Sequence, residues 1–165
     1  MIDVIHALEL AVAPEQSFDV FTDGLGTWWP QEYTWSGDTL AEIGIERGAG
    51  GFCYEFGPHG FRCDWGRVLV WDPPRRLVLT WQIGPHREPV PDPGRAGEVE
   101  VRFGEANHGR TLFTLEQRHF ERFGKGGQAY AEAMGSPQGW PLILDRFAAA
   151  CAQARENPQL TISPS

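Results

Sequence analysis

Hydrophobic and polar residues alternate along most of the first 120 positions. In residues 2–12 one face carries Ile2, Val4, His6, Leu8, Leu10 and Val12, and the other face carries Asp3, Ile5, Ala7, Glu9 and Ala11. A period of two residues is typical of a half-buried β-strand. Comparable segments cover residues 39–46, 52–56, 62–71, 76–83, 98–105 and 111–120. The pattern therefore predicts about seven strands, joined by short turns that favour antiparallel pairing.

A different spacing marks the stretch from Ser136 to Arg155. Its large apolar residues fall at helical intervals: Trp140, Ile143, Leu144, Phe147, Ala148 and Cys151. This spacing predicts one long amphipathic helix, with Ser136 as its N-cap and Pro137 in its first turn. Two short helices are predicted after the first strand, at residues 14–22 and around Trp28, and a short helical turn at 128–134.

Together these elements predict an α+β fold. The apolar face of the long helix has to pack on the sheet, and a curved antiparallel sheet of about seven strands around this C-terminal helix leaves a hollow between them. We predict one domain over residues 1–156 and a frayed tail at 157–165. The stretch 84–97 is rich in Pro and Gly. It is long for a loop within a domain, and it is a candidate lid.

The charge and composition exclude several function classes. The chain has 165 residues, a net charge of −8 and a pI near 5.1, which disfavours nucleic acid or an anionic membrane as partner. No apolar run approaches the length of a membrane span, and the N-terminus does not resemble a signal peptide. Three cysteines do not form a disulfide framework. We expect reduced thiols in a cytoplasmic protein.

Short motifs in a fixed order resemble a known superfamily. The matching pieces are Ala13-Pro14 with Phe18 and Phe21-Thr22-Asp23, Trp28-Trp29, Gly50-Gly51-Phe52, Gly66-Arg67-Val68-Leu69, Pro73-Pro74-Arg75-Arg76-Leu77, Thr80-Trp81, Thr111, Leu115-Glu116 and Gly139-Trp140. Over about residues 5–155 the chain resembles the helix-grip fold of the START/Bet v 1-like (SRPBCC) superfamily. Within it, the chain is similar to the branch named after the C-terminal domain of the activator of Hsp90 ATPase.

The resemblance implies a cavity between the sheet and the long helix that often holds an apolar or aromatic small molecule, and it implies no single reaction. The cochaperone's separate N-terminal domain has no counterpart here, so Hsp90 is not an expected partner. In many relatives a histidine stands where Gln117 stands here. An amide cannot shuttle protons at neutral pH, which weakens an acid–base role for this position.

Motifs for metal, phosphate or nucleophilic chemistry are missing from the sequence. The five histidines are scattered, no HExxH, CxxC or GxSxG occurs, and Gly124-Lys125 lacks the P-loop context. We predict no metal and no cofactor. Cys151 is predicted to be buried and inert, and Cys53 to face outward or across to Cys63. The charged residues of the last two strands, Glu98, Glu100, Arg102, Glu116 and Arg118, are expected to form ion pairs on the outer face.

The excess of aromatic residues is the main candidate for function, with seven Trp and ten Phe. Apolar pockets with a few polar groups are the usual ligand sites. The predicted ligand-binding residues are Trp28, Trp29, Trp35, Tyr54, Trp65, Trp81, Phe113, Gln117, His119, Trp140, Ile143 and Leu144. The side that Trp65 faces is left open, because Gly66 can mark a bulge. Within the helix, Trp140, Ile143 and Leu144 are expected to line the hollow, and Phe147 and Cys151 to seal the core.

Three hypotheses follow for the function. The first is a non-enzymatic binding protein for a hydrophobic, aromatic small molecule. The second is a small enzyme of the cyclase, hydratase or hydrolase type acting in the same cavity, for which His6, His119 and Glu46 are the candidate titratable groups. The third is a protein-interaction module, with a homodimer as an open possibility.

Overall fold

One curved sheet contains all seven strands of the chain's described part. The computed structural model describes residues 3–156; Ile2 and the predicted tail at 157–165 lie outside this range. The strands are β1 (Val4–Leu10), β2 (Glu42–Ile45), β3 (Phe52–Phe56), β4 (Arg62–Asp72), β5 (Arg76–Trp81), β6 (Gly97–Ala106) and β7 (Arg110–Arg118). Their order is β1-β7-β6-β5-β4-β3-β2, and all neighbours pair antiparallel. The predicted sheet is confirmed, and β1 and β2 form its edges.

The helices cover the inner face of the sheet. They are α1 (Pro14–Phe21), α2 (Leu25–Trp28), α3 (Gly127–Gly135) and α4 (Trp140–Glu156). The predicted stripe of α4 is buried, and Phe147 and Cys151 are fully inaccessible to solvent. Helix α1 packs on α4 and on strands β6 and β7. The α+β helix-grip architecture is thus confirmed, with the two short helices placed after β1 as predicted.

The long helix begins three residues later than the sequence predicts, at Trp140 instead of Pro137. Ser136 is extended, with φ −75° and ψ 167°, because the following Pro137 disfavours the helical region for the residue before it. Its hydroxyl donates to the carbonyl of Ala133 at 2.6 Å, so it closes the end of α3 instead of capping α4. A Cβ at Gly139 would lie 2.2 Å from the carbonyl oxygen of Met134. Glycine therefore allows the tight turn from which α4 starts at Trp140.

A bulge in β4 settles the orientation of Trp65. Cys53 pairs with Gly66 and Tyr54 with Asp64, so that Trp65 is the extra residue on its strand. Trp65 is 3% exposed and points to the inner face. A Cβ at Gly66 would stand 2.4 Å from the carbonyl oxygen of Thr80. Glycine lets the two backbones approach closely enough to form the bulge.

Strand β3 presents the opposite face to the one that its aromatic residues suggest. Cys53 and Glu55 are buried on the inner side. Cys53 pairs with Gly66 while Cys63 pairs with Glu55, so the prediction that Cys53 faces outward or across to Cys63 is wrong. Phe52, Tyr54 and Phe56 are half-buried. They lie on the outer face under the guanidinium of Arg62, whose Cζ is 5.9, 5.7 and 5.2 Å from the three ring centroids. Cation–π contacts shield these rings and substitute for burial in the core.

The ion pairs predicted for β6 and β7 form on the outer face. The carboxylate of Glu100 accepts from Arg76 Nε at 2.6 Å and from Arg118 Nη1 at 2.7 Å, and it lies 2.8 Å from Arg102 Nη2. Arg118 also contacts Glu98 and Glu116. The Glu100 side chain is only 7% exposed. The network therefore holds a nearly buried charge by several partners, which an isolated surface pair does not do.

No helix within residues 3–156 has the length and apolar character needed to cross a membrane.

Candidate functional site

Four tryptophans meet between the sheet and the start of α4. Trp29 lies against Trp65, Trp81 and Trp140, with ring centroids 6.0, 6.0 and 6.2 Å apart. Trp81 contacts Trp65 at 5.7 Å and Trp140 at 5.4 Å. We call these four residues the indole cluster. Its residues lie on four separate segments of the chain, so no local pattern in the sequence predicts it.

Hydrogen bonds fix three of the rings around the cluster. Trp140 Nε1 donates to Oε1 of Gln117 at 2.7 Å, and Gln117 is fully buried. Trp81 Nε1 donates to the hydroxyl of Tyr130 at 2.8 Å, and that hydroxyl donates to the carbonyl of Ile83 at 2.7 Å. Burial raises the pKa of Tyr130 far above its ordinary range. This phenol therefore stays protonated and acts as a structural link between the sheet and α3.

An open pocket of about 390 Å³ lies in front of the indole cluster. We call it the aromatic pocket. Its walls come from the loop after β5, from α3, and from the start of α4. It is lined by Trp29, Tyr33, Trp81, Ile83, Gly84, Pro85, Arg87, Tyr130, Ala133, Met134, Ser136, Gln138, Gly139 and Ile143. Arg87 is the one charged residue in this lining, so the pocket suits an uncharged or weakly acidic apolar molecule.

A chamber of about 20 Å³ lies behind this pocket. We call it the inner chamber. Trp29, Tyr33, Ile83 and Arg87 line both spaces and form the partition between them. Its other walls are Thr34, Trp35, Ile43, Glu55 and Trp65. It thus places a carboxylate and an indole next to the aromatic pocket.

The Glu55 carboxylate is held in place by the segment that covers the chamber. It accepts from the backbone N–H of Trp35 at 3.1 Å and from that of Ser36 at 2.7 Å. Glu55 is 1% exposed. Trp35 Nε1 donates to the carbonyl of Arg87 at 2.6 Å, which ties the loop after β5 to the same segment. The loop predicted as a lid therefore begins against the partition of the two spaces.

A larger groove of about 700 Å³ opens on the outside of the molecule between α2, β2 and α4. Its lining includes Glu32, Glu42 and Arg146. The Arg146 guanidinium donates to both Glu32 carboxylate oxygens, at 3.0 and 2.7 Å. Size alone would favour this groove as the ligand site. Its lining nevertheless has three charged residues, whereas the aromatic pocket has one.

The structure brings five of the twelve predicted site residues to these two spaces. Trp29, Trp81 and Ile143 line the aromatic pocket, while Trp35 and Trp65 line the inner chamber. Trp140 and Gln117 lie one layer behind. Trp28, Phe113 and Leu144 belong to the hydrophobic core. Trp28 and Phe113 pack on Phe147, at ring distances of 4.9 and 5.2 Å. Of the three helix residues expected to line the hollow, only Ile143 reaches it.

Two predicted residues lie away from the pocket. Tyr54 crosses the edge strand on the outer face, where a Cβ at Gly44 would clash with its hydroxyl, and it donates to the carboxylate of Glu42. Burial and that hydrogen bond raise the pKa of Tyr54 to about 12. His119 follows the end of β7 with a φ of 66°. This left-handed residue turns its ring toward Glu121 and Glu98. The prediction that it continues the inner face is wrong.

Sequence reasoning missed Glu55, Arg87 and Tyr130. Glu55 was hidden because the aromatic residues of β3 suggested the wrong inner face. Tyr130 lies in a Gly-rich stretch with little helical patterning. Arg87 lies in a turn with a φ of 64°, and nothing in the sequence places it over Tyr33. The alternation in β3 was the one available signal, since it puts Glu55 on the side opposite Tyr54.

The candidate titratable groups for catalysis do not converge. Glu46 is exposed and accepts from the backbone N–H of Phe52 at 2.8 Å. His6 is half-buried on β1, and burial lowers its pKa. Neither lines the aromatic pocket or the inner chamber. Within residues 3–156, no group of three or more His, Cys, Asp or Glu could hold a metal ion.

The cysteines are expected to differ in reactivity by position. Cys53 and Cys151 are 0% exposed. Burial raises the pKa of Cys53 above its ordinary range and that of Cys151 to about 12, and the thiolate is the reactive form. Cys63 is half-buried, and burial raises its pKa to about 11.

We expect a maleimide to label one thiol per native chain, at Cys63, and all three after denaturation. Peptide mapping of the labelled protein checks this, and labelling of Cys53 before unfolding would contradict it.

Comparisons with known proteins agree with this architecture. The model of the family described as activator of Hsp90 ATPase homolog 1-like protein matches residues 11–152. An anthrahydroquino-gamma-pyrone synthase, Txn09, is 35% identical, with 91% of this chain and 97% of that chain covered and a TM-score of 0.65.

Two further solved structures share the fold. CalC from Micromonospora echinospora, a self-sacrificing resistance protein, is 25% identical over 92% of this chain and 94% of its own, with a TM-score of 0.67. Protein NE0264 from Nitrosomonas europaea is 20% identical over 94% and 97%, with a TM-score of 0.66. No curated protein matches. With a family match over most of its length and a helix-grip sheet around α4, the chain belongs to the family of activator of Hsp90 ATPase homolog 1-like proteins.

Proposed function

We propose that this protein binds a planar aromatic small molecule in the aromatic pocket. The observation that carries the proposal is the pocket itself, about 390 Å³ in volume. Its lining includes the indoles of Trp29 and Trp81 and the apolar side chains of Ile143 and Met134. Indole faces bind flat aromatic rings by stacking, and aliphatic side chains cover the opposite side. The fold of this family typically binds small hydrophobic ligands, which supports the same conclusion.

The similarity to the synthase Txn09 narrows the class of ligand that we propose. Txn09 is an anthrahydroquino-gamma-pyrone synthase, and most of both chains align. A fused-ring aromatic compound of two to four rings, of the polyketide type, is therefore the ligand class that we propose. Arg87 is the single cation at the rim of the pocket, and it suits phenol or carbonyl oxygens on the outer edge of such a molecule.

A paired substitution distinguishes the aromatic pocket from the outer groove. Ala133 is exposed on α3 and lines the pocket, while Ala149 is exposed on α4 and lines the groove. We expect Ala133→Trp to fill the pocket and weaken binding of anthraquinone-type probes by at least about tenfold, which is about 1.4 kcal/mol. The matched variant Ala149→Trp is expected to bind as the unchanged protein does. Isothermal titration calorimetry gives both affinities, and native mass spectrometry tests for a ligand that copurifies.

Two other outcomes would contradict the proposal. If Ala149→Trp abolishes binding and Ala133→Trp leaves it unchanged, the ligand occupies the outer groove. If no fused-ring probe binds the unchanged protein, the proposal fails.

An enzyme acting in the same pocket is the second candidate, because the similar protein Txn09 is a synthase. Glu55 lines the inner chamber, which shares four walls with the pocket, and a carboxylate can act as a general base in ring closure. A ligand recovered after incubation distinguishes the two candidates: liquid chromatography returns it unchanged for a binding protein and as a new compound for an enzyme.

A further inference from the structure

Two buried residues with polar groups line the inner chamber, Glu55 with an acceptor and Trp65 with a donor. Both oxygens of Glu55 accept one backbone N–H each, and a carboxylate has lone pairs for further hydrogen bonds. The indole N–H of Trp65 is buried and has no hydrogen-bond partner among the described residues. A buried donor without a partner costs free energy of desolvation. A site that leaves one unused therefore requires a specific explanation.

The size of the chamber limits what the two groups can share. About 20 Å³ is enough for one water-sized group and too small for a ring. Glu55 needs a group that donates, while Trp65 needs a group that accepts. A hydroxyl does both with a single oxygen atom. A carboxylate ligand would be repelled by Glu55, and an ether or a carbonyl would have no proton to donate to it.

The partition places the chamber within reach of a ring in the aromatic pocket. Trp29 and Ile83 line both spaces. Trp29 and Trp65 are stacked, with an interplanar angle of 20° and centroids 6.0 Å apart. Because the two spaces share these walls, a substituent on the edge of a ring in the aromatic pocket is the part of a ligand that would enter the chamber. Of the four partition residues only Arg87 is exposed, and its Nη2 donates to the carbonyl of Glu32 at 3.2 Å.

We propose that the inner chamber is a hydroxyl-binding subsite, in which Glu55 accepts the O–H of a phenolic ligand and Trp65 donates to its oxygen. The inference rests on the proposed function, since the aromatic pocket has to hold the ring. It adds the feature that the ligand must carry: a hydroxyl on the edge of the ring system that enters first.

Three probes of nearly equal shape test the subsite. Naphthalene has no polar substituent, 2-methoxynaphthalene can only accept, and 2-naphthol can donate and accept. Calorimetry of the unchanged protein is expected to give a dissociation constant for 2-naphthol at least about tenfold lower than for the other two. Trp65→Phe keeps an aromatic ring but removes the N–H, and it is expected to reduce that preference to about threefold or less. Trp71→Phe serves as the matched control, because Trp71 packs on Phe18 instead of the chamber.

The outcomes distinguish failure of the proposed subsite from failure of the proposed function. Equal affinities for the three probes would overturn the subsite and leave the aromatic pocket in place. Absence of binding for all three would overturn both. If Trp65→Phe does not fold, the three affinities of the unchanged protein still decide the matter. If a folded Trp65→Phe variant keeps the full preference of about tenfold for 2-naphthol, Trp65 does not donate to the hydroxyl and the subsite is overturned.

Discussion

Replacing Trp140 with alanine is expected to lower the free energy of unfolding by about 3–5 kcal/mol. Trp140 is 1% exposed and is the first residue of α4. Its ring contacts Trp29 and Trp81, so truncation leaves a cavity where the helix joins the sheet. Urea denaturation monitored by circular dichroism measures the change. The secondary structure of the folded variant is expected to be retained, because Phe147 still holds the other half of α4.

A second pair of variants separates the hydrogen bond of Trp140 from its volume. Trp140→Phe leaves Oε1 of Gln117 without its donor, while Nε2 of Gln117 already has no partner among the described residues. An unsatisfied buried amide costs about 1–3 kcal/mol. Adding Gln117→Leu removes the amide, and the double variant is therefore expected to be more stable than Trp140→Phe alone. If the leucine gives no recovery, the bond between helix and sheet contributes less than the structure indicates.

The strands and the stripe of α4 could be predicted from the sequence because each depends on local periodicity. Alternation in β1, β6 and β7 reports one buried face, and the spacing from Trp140 to Cys151 reports one helical stripe. These signals suffice for the order of the elements and for the helix-grip architecture. They say little about what one element presents to another.

The site was harder to predict because it depends on contacts between distant elements. In β3 both faces carry groups that can be buried, and the choice is made by the amides of Trp35 and Ser36, which bind Glu55 on the inner side. Phe52 is then stabilised on the outer face by Arg67, whose Cζ lies 4.5 Å from its ring centroid. His119 was misplaced because the strand ends one residue before it. The aromatic content thus indicated that a pocket lined by aromatic residues is present. Which residues line it could be identified only from the three-dimensional structure.

The residues of α4 have different roles along the length of the helix. Its first turns carry Trp140 and Ile143 beside the aromatic pocket, and its middle carries Phe147 into a cluster with Phe21 and Phe113, at ring distances of 5.2 Å each. Variants near the start of the helix are expected to affect both ligand affinity and stability. Variants at Phe147 affect stability alone, since that residue does not line the pocket.

Acid is expected to destabilise the protein through Glu100. Burial by itself would raise the pKa of this carboxyl, but hydrogen bonds from Arg76 and Arg118 and the charge of Arg102 outweigh it and lower the pKa from 4.5 to about 2. A pKa that is lower in the folded state means that folding favours the ionised carboxylate. The stabilisation is present in full above about pH 4.5 and is lost as the pH falls toward 2. It amounts to at most about 3 kcal/mol.

Glu100→Gln tests this contribution directly. The variant is expected to be less stable than the unchanged protein at pH 7 by about 1–3 kcal/mol, because three arginines then converge on an uncharged amide. The difference between the two proteins should shrink steadily between pH 5 and pH 2, as the carboxyl of the unchanged protein takes up its proton. Denaturant unfolding at a series of pH values measures both. Glu105→Gln, an exposed position on the same strand, is the control and should show no such convergence. A difference that stays constant down to pH 2 would mean that the amide disturbs packing, and that the charge of Glu100 does not stabilise the fold.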